Sequence, residues 1–398
     1  MTFRMPERRS SVRAPCAGGA PVPITCEIGF QREKTHVYSI SHVEPGVSDI
    51  RSQEVIVMRI FYIGQLWEGG TALERMKALN SLGHLTVPFD VSSFAHGVSR
   101  PLQSIAARFH LGPILTRLNH ALKEQATHLG PITHIWIDKG VWIYPKTLEY
   151  IKSLTGAVIV HYTPDPQFLF HRSRHFIRAV PLYDVLVTTK EWEIPHYKEV
   201  GAKRIILTHQ GYDLRCYPRN PSQPIRSTYA SDVCFIGHHE RHYAQRLMKL
   251  TQPDINLRIW GPRWPRYAKW QRVIRPCVSG GGLWGEEYVH AISSAKIGLG
   301  LLSKWVPETS TTRTFEIPAM GTFLLAERTA LHQQLFDEGK EAEFFSSDDE
   351  MLDKTRFYLI HDETRKMIAA AGRARCEKSG YSSTQLMSQI ISSLSDGS

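Results

Sequence analysis

From Val55 onward, short apolar runs alternate with stretches of helical period. The runs IVMRIFYIG, LTVPFD, HIWID, AVIVHY, DVLVTT and RIILT are each long enough for one buried strand. Between them, ALERMKALNSLG, residues 105–128, PKTLEYIKSL and IPHYKEVG have the apolar spacing of helices. Such alternation is the signature of βαβ units around a parallel sheet. The polar, Pro-rich stretch GYDLRCYPRNPSQPIRS interrupts the rhythm, which restarts in DVCFIG, HYAQRLMKL, LRIWG, EEYVHAISSA, KIGLGLL, TFEIPAMG, TFLLAE, EAEFF and DEMLDKTRFYLI. The pattern predicts an α/β chain of two Rossmann-like domains with parallel sheets facing a cleft, over residues 55–212 and 231–380. A linker is expected over 213–230. Residues 362–394 read as helical and are expected to pack back across the cleft, with a terminal helix or tail over 381–398.

Residues 1–54 do not share the rhythm. MPERRSSVRAPCAGGAPVP is Arg, Pro, Gly and Ser without hydrophobic period, so this extension is expected to be disordered and dispensable. It has no apolar core of the signal-peptide kind, and MRIFYIGQLWEGG from Met58 reads as the opening of a first domain and as a natural translation start.

Composition narrows the class. A chain of 398 residues, 42% hydrophobic and 22% charged, is globular and long enough for two cores. No apolar run approaches the roughly 18 residues of a membrane span, so a soluble, cytoplasmic protein is expected. Six cysteines without CxxC or CxxH spacing predict reduced thiols, with neither a zinc site nor a disulfide framework. The net charge of +10 fits nucleic acid, an anionic membrane face or a phosphate-bearing substrate, and by itself does not choose.

In open α/β sheets ligands bind beyond the carboxyl ends of the strands, which directs attention to the loops there. In WVPETSTTRTFEIPAMG, Glu308 and Glu316 are eight apart. A helix beginning near Thr312 would offer unpaired N–H groups and a positive dipole end to a phosphate, with Thr311, Thr312 and Arg313 alongside. Glu316, one turn in, can accept from both hydroxyls of a ribose. Equally, the threonines can be caps, with Arg313 paired to a neighbouring glutamate. Pro318 and Gly321 imply that the helix is short. After DVCFIG, Gly237 allows close backbone approach and Arg241 can meet phosphates, although a tight turn needs a glycine just as much; the dinucleotide fingerprint GxGxxG is absent.

In the first half, Gly69 and Gly70 precede a helix and either shape an acceptor pocket or form a plain turn. Asp138 in HIWIDKG and Asp165 in HYTPDPQF stand just past strand ends, where a carboxylate is a general base or a loop cap. The His clusters lack HExxH or acidic partners, so no metal site is expected. PRWPRYAKWQR interleaves basic and aromatic residues, and a solvated loop accounts for it better than a nucleic-acid surface.

The ordered series DVCFIG, RIWGPRW, SAKIGLGLL, STTRTFEIPAMGTFLLAE, LFDEGKEAEFF and AAAGRAR, from Asp232 to Tyr381, closely resembles the CgeB-like (spore maturation protein) glycosyltransferase family. DKGVWIYPKTL, YDVLVTTKEW and GAKRIILTHQGYD are similar to its more variable first domain. The resemblance implies a GT-B glycosyltransferase, with a UDP-, GDP- or dTDP-sugar donor in the second domain, a glycan, lipid-linked or protein acceptor in the first, and no cofactor or metal. It implies that Glu316 holds the ribose, that Arg313 and the helix start hold the diphosphate, and that Glu308 lies by the donor sugar. The chain departs from the pattern at EKSGYSS, which lacks a His seen in relatives, and at TPDPQF, which supplies only Asp165 of an acidic pair. Peripheral contact with an anionic membrane at the inner face is compatible with the charge, and nucleic acid is not an expected partner. An epimerase of the same fold and a non-catalytic nucleotide- or glycan-binding protein are the rival readings.

Overall fold

The computed structural model describes residues 35–39, 57–169, 172–213, 227–267 and 271–395. Its first sheet has seven parallel strands: β1 (His36–Ser39), β2 (Arg59–Gly64), β3 (Leu85–Asp90), β4 (His134–Asp138), β5 (Val158–Thr163), β6 (Val185–Thr188) and β7 (Arg204–Leu207), in the order β1-β7-β6-β5-β4-β2-β3. The second has six: β8 (Ser231–Ile236), β9 (Leu257–Trp260), β10 (Val278–Gly280), β11 (Ala295–Gly300), β12 (Phe323–Glu327) and β13 (Glu343–Phe345), in the order β10-β9-β8-β11-β12-β13. The central strands are almost wholly buried because helices cover both faces, and this explains why they read as unbroken apolar runs.

Both sheets reverse direction once, between β2 and β4 in the first and between β8 and β11 in the second. Loops leaving adjacent strands diverge at such a point and open a crevice. The second crevice depends on close packing. A side chain on Gly298 would meet Ile317 at 2.7 Å, so the bare strand lets the helix Arg313–Ala319 settle directly on β11.

The last helix, Ser383–Ser395, leaves the second domain through a bridge between Tyr212 and Ser382. Its Leu386, Met387, Ile390 and Leu394 join Ile60, Tyr62, Trp136 and Val160 in the core of the first.

Two expectations change. Within the stretch expected to be disordered, His36–Ser39 pairs in register with β7, and Arg204 lies 4.6 Å from the Tyr38 ring centroid. An edge strand is held by main-chain bonds and needs no hydrophobic period. The rest of residues 1–54, and most of the expected linker, lie outside the described residues. The expected helix over 105–128 is two helices, Arg100–Phe109 and Pro113–Thr127. The break has backbone causes: His110 (φ 53) and Gly112 (φ 103) are left-handed, and Pro113 follows.

Candidate active site

The second domain's crevice is closed by Arg313. From the first turn of its helix the guanidinium reaches across, donating from Nη1 to the Ile236 carbonyl at 3.3 Å and from Nη2 to the Leu301 carbonyl at 2.9 Å, 5.5 Å from the Phe235 ring centroid. The carbonyls at the ends of β8 and β11 have run out of strand partners, and Arg313 supplies the donors. This differs from the expected phosphate ligand. Arg313 braces the crevice, and only its Nε is buried with no hydrogen bond among the described residues.

The helix start is also more occupied than expected. The amides of Thr314, Phe315 and Glu316 donate to the Thr311 and Thr312 carbonyls, leaving at most those of Thr312 and Arg313 for a ligand. The Thr311 hydroxyl is buried and unpartnered among the described residues. Glu316 points towards the cleft, where Tyr288 donates to its Oε2 at 2.6 Å. Gly237 serves packing, since its carbonyl accepts from the Trp264 indole at 2.9 Å and a side chain there would meet the Phe235 ring at 2.9 Å. Arg241 is exposed at the start of the helix Arg241–Leu247.

Glu308 does not face open solvent. Lys190, in the loop after β6 of the first domain, places its Nζ 2.9 and 3.0 Å from the two carboxylate oxygens, and both side chains are nearly buried. The ion pair spans the cleft.

In the first domain, Asp138 is buried. It accepts from Arg75 Nε at 2.8 Å and from the Tyr62 hydroxyl at 3.2 Å. Asp138, expected as a general base or a cap, is thus held in the interior by these two partners. An interior carboxylate is retained by a charged partner, and this one fixes Arg75 over the Tyr162 ring at 4.4 Å on the cleft wall. Asp165 is different: it is partly exposed in the cleft, with Lys139 Nζ at 2.5 Å. Lys139 is a non-glycine residue in the left-handed region (φ 68). Its N–H donates to the Tyr162 carbonyl at 2.9 Å, and its own carbonyl lies 3.0 Å from His161 Nε2. Burial pushes the His161 pKa down to about 4, so at neutral pH the ring is neutral and Nε2–H is the donor. The loop carrying Asp165 is held from below by Glu193, whose carboxylate accepts from the Gln167 and Phe168 amides at 2.7 and 2.8 Å; burial raises the Glu193 pKa.

Gly69 (φ 89) and Gly70 form the turn into the helix Thr71–Ser81, with the Gly70 amide on the Trp67 carbonyl at 2.9 Å. The turn places Thr71 and Arg75 on the cleft wall while the glycines stay behind it.

These groups meet in a cavity of about 250 Å³ between the sheets. Arg75, Lys139 and Asp165 line one side, Thr312 and Glu316 the other, and Ser383 and Leu386 of the last helix close its base. Asp165, Thr312 and Glu316 are thus brought together, while Gly237 and Arg241 are not among its walls. Arg75, Lys139, Lys190 and Tyr288 were missed from sequence. Lys139 and Lys190 stand in the very strand-end loops where ligands bind, and attention to carboxylates there passed over the cations beside them.

A sequence model of a glycosyl transferase-like family matches residues 241–392. Among solved structures, HepE of Anabaena, in complex with UDP and glucose, aligns over 85% of this chain and 100% of its own, with TM-score 0.58 and 13% identity. Sucrose-phosphate synthase from Thermosynechococcus elongatus aligns over 92% and 100%, with TM-score 0.59 and 15% identity. Trehalose 6-phosphate synthase from Burkholderia multivorans aligns over 85% and 98%, with TM-score 0.54 and 11% identity. The fold is GT-B. No curated protein sequence matches the chain. The matched segment begins at the helix after Gly237 and runs into the last helix, so it contains Glu308, Arg313 and Glu316, and with the GT-B fold it supports glycosyl transfer. Among the described residues, no helix is long and apolar enough to cross a membrane.

Proposed function

We propose that this chain is a CgeB-like glycosyltransferase that moves a sugar from a nucleotide diphosphate donor to a hydroxyl of a glycan, lipid-linked or protein acceptor. The observation that carries this reading is a cavity where Asp165, held by Lys139, faces Thr312 and Glu316 across the two sheets. Glu316, oriented by Tyr288, accepts from the ribose hydroxyls. The amides at the start of the Arg313 helix, and the Thr311 hydroxyl, meet the diphosphate. The UDP-glucose bound in one complex of HepE is the model for the class of donor.

In the proposed reaction the acceptor hydroxyl attacks the anomeric carbon and gives its proton to Asp165. The bond between that carbon and the phosphate oxygen breaks, and the nucleoside diphosphate leaves with the electron pair. Lys139, 2.5 Å away, orients the Asp165 carboxylate for that proton transfer. Stabilisation of the departing diphosphate by main-chain donors and the Thr311 hydroxyl makes the reaction independent of divalent metal, and the protein works in the cytoplasm.

A transfer assay with UDP-, GDP- and dTDP-sugars in the presence of EDTA tests this. Asp165→Asn is expected to lower kcat by about a hundredfold or more while leaving donor affinity unchanged. Full activity in that variant would remove Asp165 from the chemistry. Interconversion of the donor sugar without any acceptor would identify an epimerase instead.

A further inference from the structure

We propose that the helix Arg100–Phe109 and the turn after it dock on an anionic lipid bilayer. The inference does not depend on the proposed reaction. It starts from charge: residues 91–123 contain no Asp or Glu, yet carry Arg100, Arg108, Arg117 and Lys123. Ala106 is the one buried residue of this helix, which is otherwise tied down by Gln103 on the Ala95 and Val98 carbonyls. Leu102, Ile105 and Phe109, spaced by three and four, form one stripe beside Ala106, yet all three stay exposed, and Phe109 and Leu111 remain 60% and 57% exposed. Single exposed apolar residues are ordinary on a soluble protein, whereas a continuous stripe of large ones marks an interaction surface.

A second acid-free stretch adjoins the first. Residues 166–183 also lack Asp and Glu, and His175 Nε2 lies 3.0 Å from the His110 carbonyl. This contact brings the helix Arg174–Ala179, with exposed Arg174 and Arg178, beside the apolar stripe. A helix with a polar, cationic flank and large apolar residues on one side lies in a bilayer interface, the apolar groups entering the acyl boundary and the cations meeting the headgroups. A bilayer satisfies both halves of the surface. A symmetric second copy would instead set the same cations against each other.

The test is co-sedimentation of the full chain with vesicles of phosphatidylcholine alone or with about a third phosphatidylglycerol. Binding is expected to the anionic vesicles only, and to fall as salt is raised. Leu102→Ser/Ile105→Ser/Phe109→Ser should abolish sedimentation with an unchanged circular dichroism spectrum, and Arg100→Ser/Arg108→Ser should weaken it by about fivefold for each cation removed. Three results would overturn the proposal: no sedimentation with anionic vesicles; equal sedimentation of native and variant chains; or a native dimer, seen by light scattering, that the triple variant dissolves and that would make the stripe a contact between copies.

Discussion

At the scale of residues, the cleft is built on pairs in which one charge positions another. Asp138 fixes Arg75, Lys139 fixes Asp165 and Lys190 meets Glu308. Behind the second pair lies His161, buried and neutral, steadying the left-handed backbone of Lys139. That neutrality has a measurable consequence. The folded-state pKa, about 4, lies below the ordinary value of 6.5, so folding favours the unprotonated ring. Its stabilising contribution is complete above pH 6.5 and is lost as pH falls towards 4, by about 3 kcal/mol over that window. Urea unfolding of the native chain and of His161→Gln at a series of pH values should show the native chain losing more stability on acidification. Parallel pH profiles would mean that His161 is not buried as a neutral ring. Little of this was legible beforehand. Asp138 and Asp165 occupy equivalent strand-end positions in the sequence, and only packing separates the interior carboxylate from the one in the cleft.

At the scale of elements, strand ends and short helices set the geometry. The parallel core strands were readable because burial on both faces makes them continuous apolar runs. The edge strand His36–Ser39 was not, because its residues are exposed and its stability comes from the neighbouring β7 backbone. The helix Arg313–Ala319 was legible in its start and its brevity, but the direction of Arg313 was not. Its carbonyl partners lie 77 and 12 residues away and are set by the crossover of the sheet. Arg313→Ala should cost about 2 to 4 kcal/mol of stability by removing charged donors from two strand-end carbonyls. A melting temperature unchanged in that variant, together with weaker binding of diphosphates, would return Arg313 to the role of an exposed phosphate ligand.

At the scale of the whole molecule, three features hold the two sheets about one cavity. The last helix belongs to the first domain's core while continuing the second, the bridge from Tyr212 to Ser382 lies at the crossing, and Lys190 and Glu308 pair across the cleft over 118 residues of sequence. The two-domain rhythm was visible in the spacing of apolar runs. The cross-cleft pairing was not, since it depends on how the domains face each other. The central claim is that a nucleotide diphosphate sugar lies in this cavity with its ribose on Glu316. Calorimetric titration of UDP, GDP and dTDP, and of the matching nucleosides, into the native chain and Glu316→Ala tests it most directly. Loss of charge-assisted hydrogen bonds to the ribose, worth about 1.5 to 3 kcal/mol, should weaken nucleotide and nucleoside alike by about one to two orders of magnitude, with the melting temperature retained. Unchanged nucleotide affinity in a folded Glu316→Ala protein would contradict the account and leave Glu316 with a role in packing the cleft wall, where Tyr288 donates to it.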